Sequence, residues 1–310
     1  MSTAISLRGV VKAFGDFRAV DGVTLDIPAG EIFGLIGPNG AGKSTTIRMI
    51  MDIIRPDSGS ITVNGRPSPE HVRSQVGYLP EERGLYKKMK VLDVLEFQGS
   101  LKGAQPKDAR VDAKAWLEKL EIADWADKKV EELSKGMQQK IQFAAAVLGN
   151  PPILILDEPF SGMDPVNQNL FKDRILELNR QGTTIVFSTH QMETAERLCK
   201  EIALINKGQL MLSGPLTKIK EGFGKNSVLL EYDGDGAFLS TLPGVAHIDA
   251  FGSYSEIRLD AGADPQSLLR AVAGRLRVTK FELVAPTLHN IFIEKVGGAQ
   301  TPVLERVGDA

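Results

Sequence analysis

Cysteine is nearly absent from this sequence: the 310 residues hold one, Cys199. That excludes an internal disulfide framework, and the lone thiol reads as a small buried side chain on a helix. No apolar run approaches the roughly 18 residues that a membrane-spanning helix needs. The opening stretch, MSTAISLRGVVKAFGD, has no apolar core of the signal-peptide kind. An excess of one charge is missing too. Lys and Arg number 37 against 39 Asp and Glu, a net charge of -2, so there is no electrostatic footprint for a nucleic-acid partner. With 25% charged and 42% hydrophobic residues, a chain of this length is expected to bury large cores in two domains.

What is present is chemistry for phosphate. The string Gly37, Pro38, Asn39, Gly40, Ala41, Gly42, Lys43, Ser44, Thr45 satisfies G-x-x-x-x-G-K-[ST] and follows an apolar strand-like run, Ile32 to Ile36. Glycines let the backbone wrap closely enough for several N–H groups to converge on one phosphate. A helix opening near Lys43 adds the positive end of its dipole. Lys43 is expected to reach the terminal phosphates, and the Ser44 hydroxyl to bind Mg²⁺.

ILILDEP, Ile153 to Pro159, supplies a second element. Ile153 to Leu156 read as a buried parallel strand, and so apolar a strand should not end in two carboxylates unless something cationic lies there. Asp157 is expected to hold Mg²⁺ through water, and Glu158 to orient and deprotonate an attacking water. Solvated strand-end acids are the bland alternative; Pro152 and Pro159 on either side and Lys43 upstream favour the metal reading.

The third string, LSKGMQQK at Leu133 to Lys140, reads as a capped helix with Ser134 at the N-cap and with Gly136 leaving backbone amides open. With it in place, the chain resembles the nucleotide-binding subunits of ATP-binding cassette (ABC) transporters, whose LSGGQ-like signature precedes the DEP strand. The resemblance covers the first two-thirds of the chain motif by motif. It implies a mixed-sheet P-loop cassette with an antiparallel β subdomain and a helical subdomain, an ATPase using ATP and Mg²⁺. It also implies a head-to-tail homodimer in which Ser134 and Gly136 of one copy touch the γ-phosphate held by the other. By the same resemblance Phe14 stacks on adenine, Asp164 sits in the dimer-contacting loop, and His190 is the switch histidine that senses the γ-phosphate.

Two departures stand out. Where the family usually has Gln, the segment VGYLPEERGLY has Glu81, an anion placed to bind Mg²⁺ or to repel the γ-phosphate. The signature has Lys135 and Met137 in place of a Gly and a Gln. These variants resemble two-component exporters of the sodium-extruding type. They imply a separate transmembrane permease as partner, with this chain cytoplasmic and peripheral on the inner face of the cell membrane.

The expected organisation is a cassette over residues 1–222, with a helical subdomain at about 91–150 in which Trp116, Leu117 and Leu120 are core. The hairpin at Lys207-Gly208 closes the cassette. A small α+β domain follows at 225–297, in the order βαββαβ of a ferredoxin-like fold. It carries no Gly-rich loop, metal-ligand cluster or nucleophile arrangement. A disordered tail is expected at 298–310.

Other classes fit these strings less well. DNA-repair ATPases insert a long coiled coil between the two phosphate motifs, and no sustained heptads lie between Thr46 and Leu133. Soluble translation factors of the cassette family carry two cassettes, and a P-loop kinase lacks both signature and switch histidine. An ATP-gated regulatory clamp on a membrane partner differs only in turnover, and Glu158 argues against it.

Overall fold

The computed structural model describes residues 2–66, 72, 75–82, 84–223, 227–252, 254–260 and 262–296. By contacts the chain divides into two units, Met1–Gly214 and Pro215–Ala310. The division falls a few residues before the boundary expected near 222, so that the helix Leu216–Gly222 goes with the second unit. The tail expected to be disordered lies outside the described residues.

In the first unit, β1 (Thr3–Phe14) and β2 (Phe17–Pro28) form an antiparallel pair whose alternating residues are apolar. Ile5, Leu7, Val20, Val23, Leu25 and Ile27 are buried, as a period of two demands of a sheet with one face on the core. Strand β3 (Ile32–Ile36) leads into α1 (Lys43–Ile50), and β4 (Ser58–Val63) joins the first sheet in the order β2-β1-β4.

A six-stranded sheet has the order β5-β6-β7-β3-β8-β9. It comprises β3 with β5 (Val76–Leu79), β6 (Ile153–Asp157), β7 (Thr184–Thr189), β8 (Glu201–Asn206) and β9 (Gln209–Pro215). All residues of β3, β6 and β7 are buried, the mark of parallel strands covered on both faces. Strands β8 and β9 are joined by Lys207 and Gly208, with φ of 48° and 78°. Two consecutive positive φ values define the tight turn that suits a twisted hairpin.

The helical part holds α2 (Val91–Leu101), α3 (Pro106–Lys119) and α4 (Lys135–Val147). Trp116, Leu117 and Leu120 are buried as expected. Trp116 meets Phe143 edge-on at 6.1 Å, and Phe143 lies 4.7 Å from Phe171 of α5 (Pro165–Arg180). The end of α4 leaves carbonyls without intrahelical partners, and the Lys102 ammonium closes them, donating to Ala145 O (2.8 Å), Ala146 O (2.7 Å) and Leu148 O (3.1 Å). Burial pushes the Lys102 amine down to about 8. Cys199 follows α6 (Met192–Leu198) as a buried free thiol, beyond the helix rather than on it.

The second unit starts with α7 (Leu216–Gly222) and contains β10 (Ser227–Asp233), β11 (Val245–Ala250), β12 (Tyr254–Leu259), α8 (Pro265–Ala273) and β13 (Arg277–Val284). The sheet order β11-β12-β10-β13, with antiparallel neighbours throughout, is the split arrangement of a ferredoxin-like fold. A short 3₁₀ turn, Ala237–Thr241, stands where the first helix was expected. Val228, Leu230, Ile257, Leu259, Leu268 and Val272 form its core. A last helix, α9 (Leu288–Val296), buries Asn290, whose amide donates to Glu256 at 2.9 Å.

Because each unit has its own core, a chain ending at Pro215 is expected to unfold cooperatively and to bind nucleotide. Circular dichroism melts and ATP titration of that truncation check it; an unfolded product would place the boundary elsewhere.

Candidate active site

The site is built where β3, β6 and β7 end side by side. Beyond β3, the loop to α1 passes under β2 at Gly42 (φ 105°), where a Cβ would lie 2.3 Å from Ala19 O. Only glycine allows that approach. Helix α1 opens without a side-chain cap and without an acid in its first turn, so its free N–H groups and positive dipole end face the loop. Lys43, the first residue of α1, is 5% exposed. Its ammonium donates to Gly37 O (2.8 Å) and Pro38 O (3.1 Å) and lies 3.4 Å from Glu158 Oε1.

From β6 comes Asp157, 1% exposed. Its Oδ1 accepts from the Ser44 hydroxyl at 3.1 Å and from the Ser188 hydroxyl of β7. Its Oδ2 is buried with no partner. Burial raises the Asp157 carboxyl above the usual carboxylate range, and the two hydroxyls oppose that rise. A buried acceptor left open beside a hydroxyl is a hard-oxygen set of the kind that suits Mg²⁺, which takes one or two protein oxygens and fills its other positions with water and phosphate. Among the described residues no cluster of three or more His, Cys, Asp or Glu forms a closed metal cage.

Glu158 follows with a left-handed backbone, φ 49°, a conformation that costs a non-glycine residue of order 1 kcal/mol and marks functional turns. Ser188 holds it there: the Glu158 N–H donates to Ser188 Oγ at 3.0 Å. The carboxylate is buried, with both oxygens 3.1 Å from Nδ1 of His190, which is exposed just past β7. One hydroxyl thus bonds the carboxylate of Asp157 and the backbone of Glu158.

An open cleft of about 340 Å³ adjoins this cluster, lined by Phe14, Phe17, Ala19, Asn39 to Thr45, Glu81 and Glu158. Phe14 and Glu81 therefore share the cleft with the phosphate loop. Ser134 and Gly136 do not line it. Ser134 caps α4, its Oγ accepting from Met137 N–H at 3.3 Å, and it is exposed. Asp164 caps α5, accepting from Asn167 N–H at 3.0 Å, and the Asn167 hydrogen bonds keep its carboxyl below the usual range.

Sequence reasoning missed four contributors. Ser188 was legible in principle: a Ser-Thr pair ending an otherwise apolar strand invites the question that Asp157 answered. Phe17 carried no signal beyond its exposure in a hairpin. Gln139 and Gln142, buried on α4, donate to Pro159 O (2.8 Å) and Glu82 O (3.2 Å). They tie the signature helix to the loops after Glu158 and Glu81, which only the fold reveals.

Ser188→Ala removes one of the two hydroxyl donors to Asp157 Oδ1 and strands the buried Glu158 N–H. It is expected to lower the unfolding free energy by about 1–3 kcal/mol, read from urea denaturation. An unchanged midpoint would mean that water replaces the hydroxyl.

The chain is similar to known proteins along its length. A family model described as ABC transporter matches residues 20–161. A second, described as the C-terminal domain of DrrA1-3-like ATP-binding proteins, matches residues 214–296. The chain is 46% identical over 293 residues to YhaQ of Bacillus subtilis (strain 168), an uncharacterized ABC transporter ATP-binding protein, covering 94% of this chain and 98% of that one. It is 34% identical over 301 residues to the Nod factor export ATP-binding protein I of Burkholderia lata, with coverage of 94% and 97%. To the linearmycin resistance ATP-binding protein LnrL of Bacillus subtilis (strain 168) it is 31% identical over 305 residues, with coverage of 94% and 98%. Among solved structures, the ATP-binding subunit of an ABC transporter superposes with a TM-score of 0.67 at 32% identity, covering 72% of this chain and 94% of that one. A dimeric ATP-binding cassette in a post-hydrolysis state, bound to ADP and Pi, gives 0.64 at 25%, covering 68% and 98%. The chain therefore belongs to the ABC transporter family, as one of its ATP-binding, ATP-hydrolysing proteins.

Proposed function

We propose that this chain is the Mg²⁺-dependent ATPase subunit of an exporter, working as a head-to-tail homodimer on the cytoplasmic side of a separate membrane permease. The observation that carries the chemistry is the meeting of Lys43, Ser44, Asp157 and Glu158 at one end of the parallel sheet, with Asp157 Oδ2 left open. Export is favoured by relatives named for Nod factor export and linearmycin resistance. No helix among the described residues is long and apolar enough to cross a membrane, which accords with a pore on another chain.

In this reading the loop Gly37 to Thr45 and the N-terminus of α1 cradle the phosphates, and Lys43 leaves its carbonyl partners for the terminal ones. Ser44 and Asp157 hold Mg²⁺, with Glu81 a further oxygen donor at the cleft wall. When bound, the metal neutralises charge on the phosphates and polarises the bond to be broken. Glu158 accepts a proton from the attacking water, and its left-handed backbone and the Ser188 bond fix the carboxylate before substrate arrives. His190, 3.1 Å away, orients that carboxylate and senses the γ-phosphate. Phe14 stacks on the base. Ser134 and Gly136, outside their own chain's cleft, present a helix N-terminus to the nucleotide of the partner, with Asp164 in the facing loop. Closing on ATP and opening after hydrolysis is the motion that drives the permease.

Glu158→Gln is expected to retain ATP binding and to lower turnover roughly a hundredfold or more, trapping a closed dimer in light scattering. Near-normal turnover of the purified variant would refute the assignment. Ser134→Arg is expected to abolish hydrolysis while leaving the ATP affinity of the monomer intact, because the serine acts on the partner's nucleotide. Loss of monomer binding would show that it acts in its own cleft.

A further inference from the structure

Glu158 stands in a conformation that its neighbours must impose. Its φ of 49° is a strained value for a residue other than glycine, and Pro159 after it pushes the preceding residue towards extended backbone. Such a turn persists only where its surroundings over-determine it. Three hydrogen bonds hold this one. The Glu158 N–H donates to Ser188 Oγ at 3.0 Å, the Glu158 carbonyl accepts from Ser161 N–H at 3.1 Å, and the Pro159 carbonyl accepts from the Gln139 side-chain amide at 2.8 Å. Proline has no N–H, so every backbone polar group of the pair is engaged. Ser188 belongs to β7 and Ser161 to the turn itself. The third bond comes from α4, the helix that Ser134 caps.

Gln139 is also expensive where it sits. It is buried, and because its Nε2 donates to the Pro159 carbonyl, its Oε1 is turned away and buried with no partner. An apolar side chain of the same length would strand no acceptor of its own. A polar side chain kept at that cost has a task other than filling space. Gln139 does not line the cleft, so that task is carried out through the backbone it holds.

We propose that Gln139 is a positioning residue for hydrolysis: from α4 it holds the Glu158-Pro159 turn, so that the base of one site and the serine offered to the other are set by one helix. This rests on the roles given to Glu158 and Ser134 above.

The test compares kcat and KM for ATP hydrolysis with Mg²⁺ present, and thermal unfolding, among full-length proteins. Gln139→Met keeps the length of the side chain and removes both polar atoms. It takes away one stranded acceptor, Oε1, and strands another, the Pro159 carbonyl, so the melting midpoint is expected to change little. Its kcat is expected to fall about three- to tenfold, the share of one neutral hydrogen bond, with KM unchanged. Gln139→Glu keeps the shape but sets an acceptor against the carbonyl, and its kcat is expected to fall further. Added to Glu158→Gln, Gln139→Met is expected to lower the residual turnover no further, because no base is left to position. Unchanged kcat in both Gln139 variants would overturn the proposal. So would a second three- to tenfold fall in the Glu158→Gln background, which would mean that Gln139 acts elsewhere. A melting midpoint and a KM that worsen in step with kcat would overturn it as well, since they mark a structural effect. Glu158→Gln with Gln139 intact reads the base by itself: near-normal turnover there removes the assignment of Glu158, and this role with it.

Discussion

Parallel pairing puts Ile36 beside Thr189 and Asp157 beside Ser188, and the chemistry of the chain hangs on that register. A shift of one residue would turn every side chain of a strand to the opposite face, carrying Ser188 away from Asp157 and releasing Glu158 from the bond that holds its backbone. The register is in turn enforced by burial, since β3, β6 and β7 expose no residue and have no polar face to offer water. The most apolar part of the protein thus specifies the position of its most polar one.

The parts of this arrangement that were legible in the sequence are those in which a single local string carries both the element and the chemistry. The run Ile32 to Thr45 contains a strand, a loop and a helix start, and Ile153 to Glu158 contains a strand and its two acids. Ser134 was legible as a cap because capping is a local hydrogen bond. The second unit was readable for the same reason, its strands being short and alternating. What stayed hidden depends on partners distant in sequence. Ser188 meets Asp157 across 31 positions and Gln142 meets Glu82 across 60, and no periodicity reports such meetings. The first crossover of the second unit was expected as a helix, but Ala237–Thr241 is too short to build more than a 3₁₀ turn.

Glu81 shows how a departure from a family pattern acquires physical content. It lies on the cleft wall two residues beyond β5, and the neighbouring Glu82 carbonyl is held by Gln142 of the signature helix. The Glu81 carboxylate stands at a point tied mechanically to α4. The cleft wall at Glu81 and the position of α4 are therefore joined by a short covalent and hydrogen-bonded path. Gln139 makes a second such tie, from α4 to the carbonyl of Pro159.

The turn at Gly208 has a consequence beyond closing a hairpin. Its N–H donates to Ala41 O of the phosphate loop at 2.9 Å, and its own carbonyl accepts from Asp21 N–H of β2, also at 2.9 Å. A Cβ at this position would press on the backbone of Ala19 at 2.9 Å. One glycine therefore sets the gap between the strand that bears Phe17 and the loop that bears Lys43. The spacing between the first sheet and the phosphate loop is thus fixed from a third element, by a residue with no side chain.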